Sequence, residues 1–393
     1  MKILMLNAIC GIKSTGRICT DLAEMLKTNN HEALIAYGRE YVPEKYKSLS
    51  YRIGNPIDVT LHGFHSLFFN RHGFASKKAT ENFIKKLISY NPDIIHLHNI
   101  HGYYLNIKVL FEYLKKAEKP VLWTLHDSWT MTGHCPNFAA AGCNKWLSGC
   151  YDCELIHGYP FSLLADRSTL NWLEKRQLFN GVKNLLLVTP SEWLAGIVKK
   201  SYLASYNVKV INNGIDTSIF HPRKSDFREK YALKDKKVIL GVSSFWSKNK
   251  GFFDFIKLSE MIDSSKYKIV MVGLNKSYMD KLPSNILGLP HTDNPESLAE
   301  IYSAADVFFN PTYQDVYSCI NMEAQSCGLP VIVYNTGGAA ETVPPANLVE
   351  QGDLNAVVHK IEKGTLKIKQ QDFSKQKMYS KYLEAYKEIV NKA

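Results

Sequence analysis

Two carboxylates stand on either side of a predicted helix start in the stretch PTYQDVYSCINMEAQSCGLPVIVYNTGG, which begins at position 311. Asp315 precedes Glu323 by eight residues, and the helix is expected to begin near Ser318 or Cys319, after the apolar strand VFFNPT. The first N–H groups of a helix and the positive end of its dipole bind anions such as a diphosphate. Carboxylate oxygens beside them can accept hydrogen bonds from the vicinal hydroxyls of a sugar. The spacing therefore predicts a nucleotide-sugar pocket, although it is equally compatible with Asp315 capping the helix and Glu323 being an acid that the dipole favours.

Four cysteines in the segment CPNFAAAGCNKWLSGCYDC form a second group that could do chemistry. Their spacing, C-x7-C-x6-C-x2-C, is typical of a tetrahedral thiolate zinc site, and a closed site of this kind is structural rather than catalytic. The surrounding loop, residues 128–160, has few apolar residues at regular spacing, so a metal ion would explain how it keeps its shape. Free thiols are the main alternative, and disulfides are disfavoured in a reducing compartment. The clustered residues are Cys135, Cys143, Cys150 and Cys153, and the scattered ones, expected to be free thiols, are Cys10, Cys19, Cys319 and Cys327.

The length and composition leave room for two globular domains. The chain has 393 residues, of which 45% are hydrophobic and 22% charged, without the bias of a disordered chain. No apolar run approaches the roughly 20 residues that a membrane-spanning helix needs. The apolar part of the opening MKILMLNAIC is too short for a signal peptide and is soon followed by Lys13 and Arg17, so it is predicted to be a β-strand. We therefore expect a cytoplasmic protein.

Basic residues outnumber acidic ones by 48 to 37, which gives a formal charge of +11. Such a surplus favours phosphate-rich partners, and no nucleic-acid-binding motif accompanies it. The plain interpretation is that the lysines form solvated helix faces. The more specific interpretation is that these lysines make a peripheral contact with the inner face of an anionic membrane. The lysines concerned, all on predicted amphipathic helices, are Lys77, Lys78, Lys85, Lys86, Lys108, Lys115, Lys116, Lys199 and Lys200.

Short apolar runs that alternate with helical patterns predict the fold. They are KILMLNA, EALIAYG, DIIHLHN, PVLWTLHD, NLLLVTP and VKVINNG in the first half, and KVILGVSS, YKIVMVG, VFFNPT and PVIVYN in the second. Apolar strands that are each followed by a helix are typical of parallel sheets covered on both faces. Two such series predict two Rossmann-like, doubly wound α/β domains, residues 1–205 and 206–375, with a helix at 376–393 that crosses back to the first. Ligands of such sheets bind outside the carboxyl ends of the strands, so the expected site is a central cleft that both domains face.

The pattern of an acid, seven residues and Glu-Ala, followed by CGLPVIVYNTGGAAETV, resembles the signature of the retaining glycosyltransferases of family 4. Members of that family have the two-domain architecture called GT-B. The resemblance extends to the first loop GIKSTGR, to the pair DIIHLHN and TLHD, to NNGID between the domains, and to WSKNKG after the first strand of the second domain. It covers nearly the whole chain, and residues 315–343 are its most specific part.

The resemblance implies a donor site in the second domain. Glu323 would bind the ribose hydroxyls of the nucleotide, and Asp315 would contact hydroxyls of the donor sugar. Lys250 would neutralise the diphosphate as the bond to the leaving group breaks, unless it is an ordinary surface lysine before a helix. The N–H groups that would line the sugar and the diphosphate belong to Tyr317, Ser318 and Cys319.

The resemblance also implies two site residues in the first domain. Gly16, with its neighbour Gly11, would let the first loop approach the phosphates closely, unless the loop is a plain strand-to-helix turn. His126 would help to position the donor sugar, unless it is a buried histidine bonded to backbone. Asp127 is expected to cap the next loop, and His98 is expected to face the cleft.

Two departures from the family pattern affect these expectations. Asp315 stands where the family usually has Glu, and its shorter reach puts the sugar specificity in question. The family often has an Arg a few residues before the position of Lys250, but the stretch SSFWSKN contains none. Lys248 offers a point charge there, without the two-pronged geometry of Arg.

The resemblance implies a retaining hexosyltransferase that needs no catalytic metal. Its donor would be a nucleotide-diphosphate sugar, with the base recognised near residues 287–294, and its acceptor a glycan or a lipid-linked glycan of capsule or lipopolysaccharide biosynthesis. The departures keep open a catalytically inactive, glycosyltransferase-like binding or regulatory subunit. A nicotinamide-dependent oxidoreductase is disfavoured, because GIKSTGR lacks the G-x-G-x-x-G pattern.

Overall fold

The chain folds into two compact units, seen in a computed structural model that describes residues 1–391. Unit 1 consists of Met1–Ile211 together with the residues from Tyr379 on, and unit 2 consists of Asn212–Met378. Each unit is built on one parallel β-sheet, so the predicted pair of doubly wound α/β domains is confirmed. Within residues 1–391, no helix combines the length and the apolar character that crossing a membrane requires.

Unit 1 contains a seven-stranded sheet in the order β3-β2-β1-β4-β5-β6-β7. Its strands are β1 (Lys2–Asn7), β2 (Glu32–Tyr37), β3 (Ser50–Arg52), β4 (Ile94–Leu97), β5 (Val121–Thr124), β6 (Leu185–Thr189) and β7 (Asn207–Val210). Its helices are α1 (Lys13–Thr28), α2 (Pro56–Phe69), α3 (Lys77–Tyr90), α4 (Ile107–Ala117), α5 (Ser168–Phe179) and α6 (Glu192–Lys200), with 3-10 turns at Glu44–Leu49, Trp129–Met131, Ala139–Ala141 and Lys145–Leu147. The central strands β4 and β5 are buried along their whole length, as strands of a sheet covered on both faces are.

Unit 2 contains a six-stranded sheet in the order β10-β9-β8-β11-β12-β13. Its strands are β8 (Lys237–Val242), β9 (Tyr267–Val272), β10 (Ile286–Leu289), β11 (Val307–Asn310), β12 (Val331–Tyr334) and β13 (Leu348–Val349). Its helices are α7 (Phe227–Lys230), α8 (Phe252–Met261), α9 (Lys276–Met279), α10 (Pro295–Ala304), α11 (Cys319–Ser326) and α12 (Leu354–Lys363), with 3-10 turns at Lys248–Lys250, Gly337–Thr342 and Pro345–Asn347.

The apolar strands of unit 2 supply two cores, one on each face of the sheet. In β8, Leu240 packs into one apolar cluster and Ile239 into the other. In β11, Phe308 and Phe309 are divided between the clusters in the same way. Because successive side chains of a strand point to opposite faces, a continuous apolar run buries both faces of the sheet.

The last helix, α13 (Lys375–Asn391), contributes its residues from Tyr379 on to unit 1. Tyr382 and Tyr386 are fully buried there. The hydroxyl of Tyr386 lies 2.7 Å from Nδ1 of His96, and that of Tyr382 lies 3.1 Å from Oγ1 of Thr124. The helical spacing of these tyrosines thus anchors the helix against β4 and β5.

Candidate functional site

Three loops meet at the carboxyl edge of the unit 2 sheet, where the sequence places its donor-site candidates. They follow β8, β11 and β12, which are parallel neighbours and therefore end on the same side. The N–H of Tyr313 donates to the carbonyl of Asn249 at 2.9 Å, and the N–H of Gly338 donates to the carbonyl of Asp315 at 3.0 Å. The loops are therefore bonded to one another through their backbones.

Lys250 and Asp315 form an ion pair on this edge. Nζ of Lys250 lies 3.2 Å from Oδ2 of Asp315 and 3.3 Å from Oγ1 of Thr312. The Lys250 side chain is 36% exposed and that of Asp315 22%, so the pair reaches solvent and can exchange partners. The fold thus brings together two candidates that are 65 positions apart in the chain.

Helix α11 begins beside this pair without a side-chain cap. Its N-cap residue is Ser318, whose hydroxyl accepts a hydrogen bond from Nδ2 of Asn310 at 3.1 Å. The carboxylate of Asp315 bonds to Lys250, so the alternative in which Asp315 caps the helix does not hold. The side chains of Tyr317 and Ser318 are buried, so what they can offer a ligand is their backbone N–H. A helix start of this kind suits an anion.

Glu323 lies on the second turn of α11, close to the same helix start. Its Oε2 accepts a hydrogen bond from the hydroxyl of Tyr302 at 3.2 Å. Burial raises the pKa of the Cys319 thiol, and the negative charges of Glu323 and Asp315 raise that pKa further. Both acids therefore lie near the first residue of the helix, as their spacing predicts.

A buried acid that the sequence analysis did not single out supports these loops. Oδ1 of Asp254, on α8, accepts hydrogen bonds from the hydroxyls of Tyr313 and Tyr334, both at 3.1 Å. Burial raises the pKa of Asp254, and the two hydroxyls counteract part of that rise. Gly251 permits a close approach of the neighbouring loop, because its φ is +71° and a Cβ there would lie 2.3 Å from Cγ of Pro311. The sequence signal for this role of Asp254 is its position as the one acid in the otherwise apolar stretch GFFDFI.

In unit 1, His126 follows β5 and lies against a second histidine. Nε2 of His126 is 3.0 Å from Nδ1 of His98, and the two rings stack with centroids 5.3 Å apart. Burial lowers the pKa of His126 to about 4, so its imidazole is neutral at pH 7. In the described part of the chain, Nε2 of His98 is buried without a hydrogen-bond partner. His126 thus bonds to a side chain, whereas the alternative interpretation predicted a bond to the backbone.

His96 and His98 lie on the same side of the sheet, because residues two apart in a strand point the same way. Their ring centroids are 3.9 Å apart. His96 is held in the core by the hydroxyl of Tyr386 at 2.7 Å and by that of Thr124 at 2.9 Å. Of the two histidines, His98 is therefore the one that accompanies His126.

Asp127 caps the following turn and also binds a histidine. Its Oδ1 accepts a hydrogen bond from the N–H of Trp129 at 2.9 Å, and its Oδ2 lies 2.8 Å from Nε2 of His101. Burial would raise the pKa of Asp127, but the charge and the hydrogen bond of His101 outweigh it, so the pKa is lowered. His101 has no distinguishing pattern in the sequence, and only the fold brings it to this acid.

Gly16 lies inside α1, not in the loop before it, which corrects the sequence-based placement. The helix begins at Lys13, and the carbonyl of Gly16 accepts a hydrogen bond from the N–H of Gly11 at 3.1 Å. A Cβ on Gly16 would lie 3.2 Å from that nitrogen, so the glycine lets the loop fold back onto the first turn of the helix. No side chain caps α1 at Ile12, its N-cap residue.

The four clustered cysteines border one small cavity in unit 1. The cavity has a volume of about 20 Å³, enough for one water-sized occupant. All eight cysteines of the chain are free, so the disulfide alternative is not realised. In the part of the chain that the structure describes, no three histidine, cysteine or acidic side chains are arranged as a metal-binding group, so the zinc site stays a prediction. The bordering residues are Cys135, Cys143, Cys150 and Cys153.

The loop at residues 128–160 has an apolar core of its own, contrary to the sequence-based expectation. Phe138 and Trp146 are buried, and their rings stack with centroids 4.9 Å apart. The buried ammonium of Lys175 donates hydrogen bonds to the carbonyls of Trp129 at 2.8 Å and Thr132 at 3.0 Å. These contacts contribute to holding the loop in place.

Two units, each built on a parallel β-sheet, match the GT-B architecture of solved glycosyltransferase structures. A sucrose-phosphate synthase from Thermosynechococcus elongatus matches with a TM-score of 0.71 at 16% identity over 100% of both chains. The Anabaena Alr3699/HepE structure in complex with UDP-glucose matches with a TM-score of 0.65 at 16% identity, over 99% of this chain and 100% of that one. At such identities the shared property is the fold.

The family models "Glycosyltransferase Family 4" and "Glycosyl transferases group 1" match residues 15–219 and 223–386, respectively. The chain belongs to glycosyltransferase family 4. It is 35% identical over 132 residues, 32% of each chain, to WcaC of Escherichia coli (strain K12), a protein named for colanic acid biosynthesis. It is 28% identical over 231 residues to the capsular polysaccharide biosynthesis glycosyltransferase CapM of Staphylococcus aureus, over 53% of this chain and 57% of CapM. The chain thus spans from a third to just over half the length of these relatives.

Proposed function

We propose that this protein transfers a hexosyl group from a nucleotide-diphosphate sugar to a glycan or lipid-linked glycan during the synthesis of a surface polysaccharide. The observation that carries the proposal is the contact of 3.2 Å between Lys250 and Asp315 beside the uncapped start of α11. A cation, a carboxylate and free helix N–H groups at one edge suit a phosphate next to a sugar.

The proposed donor binds to unit 2 by breaking the ion pair between Lys250 and Asp315. A diphosphate oxygen replaces Asp315 as the partner of the Lys250 ammonium and also accepts hydrogen bonds from the first N–H groups of α11. The released Asp315 carboxylate then accepts hydrogen bonds from the donor sugar, and Glu323 accepts them from the ribose. The charge of Lys250 stabilises the diphosphate most strongly as it departs, which is when its negative charge is greatest.

In unit 1, His126 is proposed to orient a hydroxyl of the donor sugar. Because burial lowers its pKa to about 4, the ring is neutral at pH 7 and can accept one hydrogen bond and donate another. The contact of 3.0 Å between Nε2 of His126 and Nδ1 of His98 fixes the orientation of the His126 ring. This leaves Nδ1 of His126 for the sugar.

We propose retention of the anomeric configuration, on the basis of the family resemblance. The bond from the anomeric carbon to the diphosphate breaks, and the bond to the acceptor oxygen forms on the same face of the sugar. The proton of the acceptor hydroxyl passes to the departing phosphate oxygen. Lys250 and the helix dipole provide the positive charge, so this chemistry is proposed to run without a catalytic metal.

The comparisons support the coarser parts of this proposal. CapM is a capsular polysaccharide glycosyltransferase, which supports a surface polysaccharide as the product. The HepE complex contains UDP-glucose, which supports a nucleotide sugar as the donor. Either lipopolysaccharide or capsule is compatible with this support, and the acceptor is left to experiment.

The second candidate is an inactive binding or regulatory subunit. It is favoured by Asp315 in place of the usual Glu and by the engagement of Lys250 with that shorter acid at 3.2 Å. Such a protein would bind the nucleotide sugar at the same edge but would not transfer the sugar.

A donor screen separates these candidates. Purified protein is mixed with each common nucleotide sugar, and thermal stabilisation and release of the nucleoside diphosphate are measured. A transferase is stabilised by one uridine or guanosine diphosphate sugar and slowly hydrolyses it. Stabilisation without any hydrolysis or transfer favours the regulatory subunit, and stabilisation by NAD alone would contradict both.

A further inference from the structure

Helix α2 displays an exposed apolar stripe. Ile57, Leu61, Phe64 and Phe68 are between 39% and 69% exposed. Their positions recur at intervals of four, three and four residues, which places them on one face of the helix. The rings of Phe64 and Phe68 stack with centroids 6.5 Å apart. The stripe is therefore a continuous surface of hydrocarbon and phenyl groups.

The rest of α2 is fixed to unit 1, so the stripe cannot turn inward. Its buried residues are His62 and Ser66. Nδ1 of His62 lies 2.8 Å from the hydroxyl of Ser76, and its Nε2 accepts a hydrogen bond from the N–H of Gly73 at 3.1 Å. The acid of the helix, Asp58, is used in the capping box at the N-terminus.

A second exposed apolar segment adjoins the end of α2. The N–H of Leu163 donates to the carbonyl of Leu67 at 2.8 Å, and both Leu163 and Leu164 are at least half exposed. Together with the stripe they form what we call the apolar surface: Ile57, Leu61, Phe64, Phe68, Leu163 and Leu164. Contiguous exposed apolar residues of this kind on a folded protein mark an interaction site.

A basic group borders the apolar surface. The guanidinium of Arg167 lies 5.8 Å from the ring centre of Phe69, the last residue of α2. The chain as a whole carries a formal charge of +11. A partner with a negatively charged surface and a hydrocarbon interior would match both the exposed apolar side chains and the positive charge.

We propose that the apolar surface docks this protein on an anionic lipid bilayer. Acyl chains accept leucine, isoleucine and phenylalanine side chains without directional contacts, and anionic headgroups attract Arg167 and the positively charged chain as a whole. A protein interface would be expected to include more tyrosine, tryptophan and arginine at its centre. A second copy of this chain would bring another strongly positive surface to the contact, which the net charge opposes.

This docking differs from the sequence-based expectation that lysine-rich helix faces make the membrane contact. Two lysines of α3 and α4 have ordinary surface partners. Nζ of Lys77 lies 3.9 Å from Glu81, and Nζ of Lys115 donates to the carbonyl of Gln177 at 3.0 Å. The inference concerns a surface and not the transfer reaction, so either proposal can fail while the other stands.

Vesicle binding tests the proposal with the full chain. Co-sedimentation is measured with vesicles of phosphatidylcholine alone and of phosphatidylcholine with phosphatidylglycerol, at low and high salt. The test variant is Leu61→Gln/Phe64→Gln. The control is Ile88→Gln/Phe253→Gln, whose side chains are 59% and 56% exposed, against 61% and 54% for the test pair. Thermal unfolding confirms that each variant is folded.

The wild-type protein and the control are expected to bind the vesicles that contain phosphatidylglycerol, and less so at high salt. The test variant is expected to bind at least about tenfold more weakly, since two large apolar side chains no longer insert. A Phe64→Trp variant should show a blue shift of its emission when those vesicles are added. Equal binding by test and control variants, or no binding by the wild type, would overturn the proposal. So would self-association that the test variant abolishes, because the surface would then be a dimer interface.

Discussion

Lys250 is the side chain on which the proposed donor chemistry depends most. In the described structure its ammonium contacts Oδ2 of Asp315 and the hydroxyl of Thr312, at 3.2 and 3.3 Å. A partly exposed pair of this kind contributes little to stability, since its net worth is typically below about 1 kcal/mol. Keeping both groups on the loop edge is therefore better explained by a ligand that separates them than by folding.

Replacing Lys250 should slow transfer more than it weakens donor binding. Lys250→Ala removes a charge that stabilises the departing diphosphate, and losses of about a hundredfold in kcat are typical for such groups. Steady-state kinetics with the donor found in the screen measures kcat and KM separately. The control is Lys248→Ala, from the same 3-10 turn. If Lys248→Ala is the more impaired of the two, Lys248 is the phosphate-binding residue and the assignment is wrong.

Glu323 should act mainly on donor binding. Its carboxylate accepts a hydrogen bond from the hydroxyl of Tyr302 at 3.2 Å, and a carboxylate can accept several hydrogen bonds. Glu323→Ala should raise the Kd of the nucleoside diphosphate by about tenfold to a hundredfold, the range for losing hydrogen bonds to a charged group. Isothermal titration provides the measurement.

Tyr302→Phe is the control for that experiment, because it removes one hydrogen bond to Glu323 and leaves the carboxylate. It should bind the nucleotide much more tightly than Glu323→Ala does. If the alanine variant binds as the wild type does, the ribose is held elsewhere.

At the scale of elements, the strands and helices that carry the site were predictable and the peripheral ones were not. The apolar runs of β8, β11 and β12 identify these strands because each is buried on both faces. The edge strands β3 and β13 are only three and two residues long, too short for a periodic pattern. The sequence does not predict helix α2, because its buried residues, His62 and Ser66, are polar and its large apolar residues lie on the exposed face.

In the candidate site, the sequence predicts the placement of residues that are close together in the chain but not the contacts between residues that are far apart. The spacing of Asp315 and Glu323 around the start of α11 is local, so the sequence predicts it. The support from Asp254 to Tyr313 and Tyr334, and the pairing of His101 with Asp127, join residues that are far apart in the chain. Only the fold brings such residues into contact, so a single sequence holds no signal for their pairing.

The loop at residues 128–160 gives a prediction at this scale. If it binds zinc, protein purified under reducing, metal-replete conditions should contain about one zinc ion per chain, because four thiolates complete a structural site. Cys150→Ser/Cys153→Ser should lose the metal, whereas Cys10→Ser, a buried cysteine outside the cluster, should retain it. Elemental analysis measures the content. Metal-free wild-type protein with an ordered loop would show that the apolar core and Lys175 suffice.

At the scale of the whole molecule, the histidines are distributed unevenly between the two units. Ten of the thirteen lie in unit 1, and burial lowers the pKa of several of them. The pKa falls to about 3 for His62 and to about 4 for His126 and His134, and it lies well below its ordinary value for His72, His96 and His98. Unit 1 therefore folds with a neutral histidine core.

This distribution predicts that acid destabilises unit 1. Below about pH 6.5 the unfolded chain binds protons at these histidines, while in the folded unit His126 and His134 do so only near pH 4 and burial opposes protonation of the others. The unfolded state then holds more protons, so the free energy of unfolding decreases as the pH falls from 6.5 towards 4. Urea denaturation at pH 7.5 and pH 5, followed by tryptophan fluorescence, measures the change. The signal reports mainly on unit 1, which contains every tryptophan except Trp246. His126→Gln should reduce the difference between the two midpoints, and midpoints that do not move with pH in the wild type would contradict a neutral histidine core.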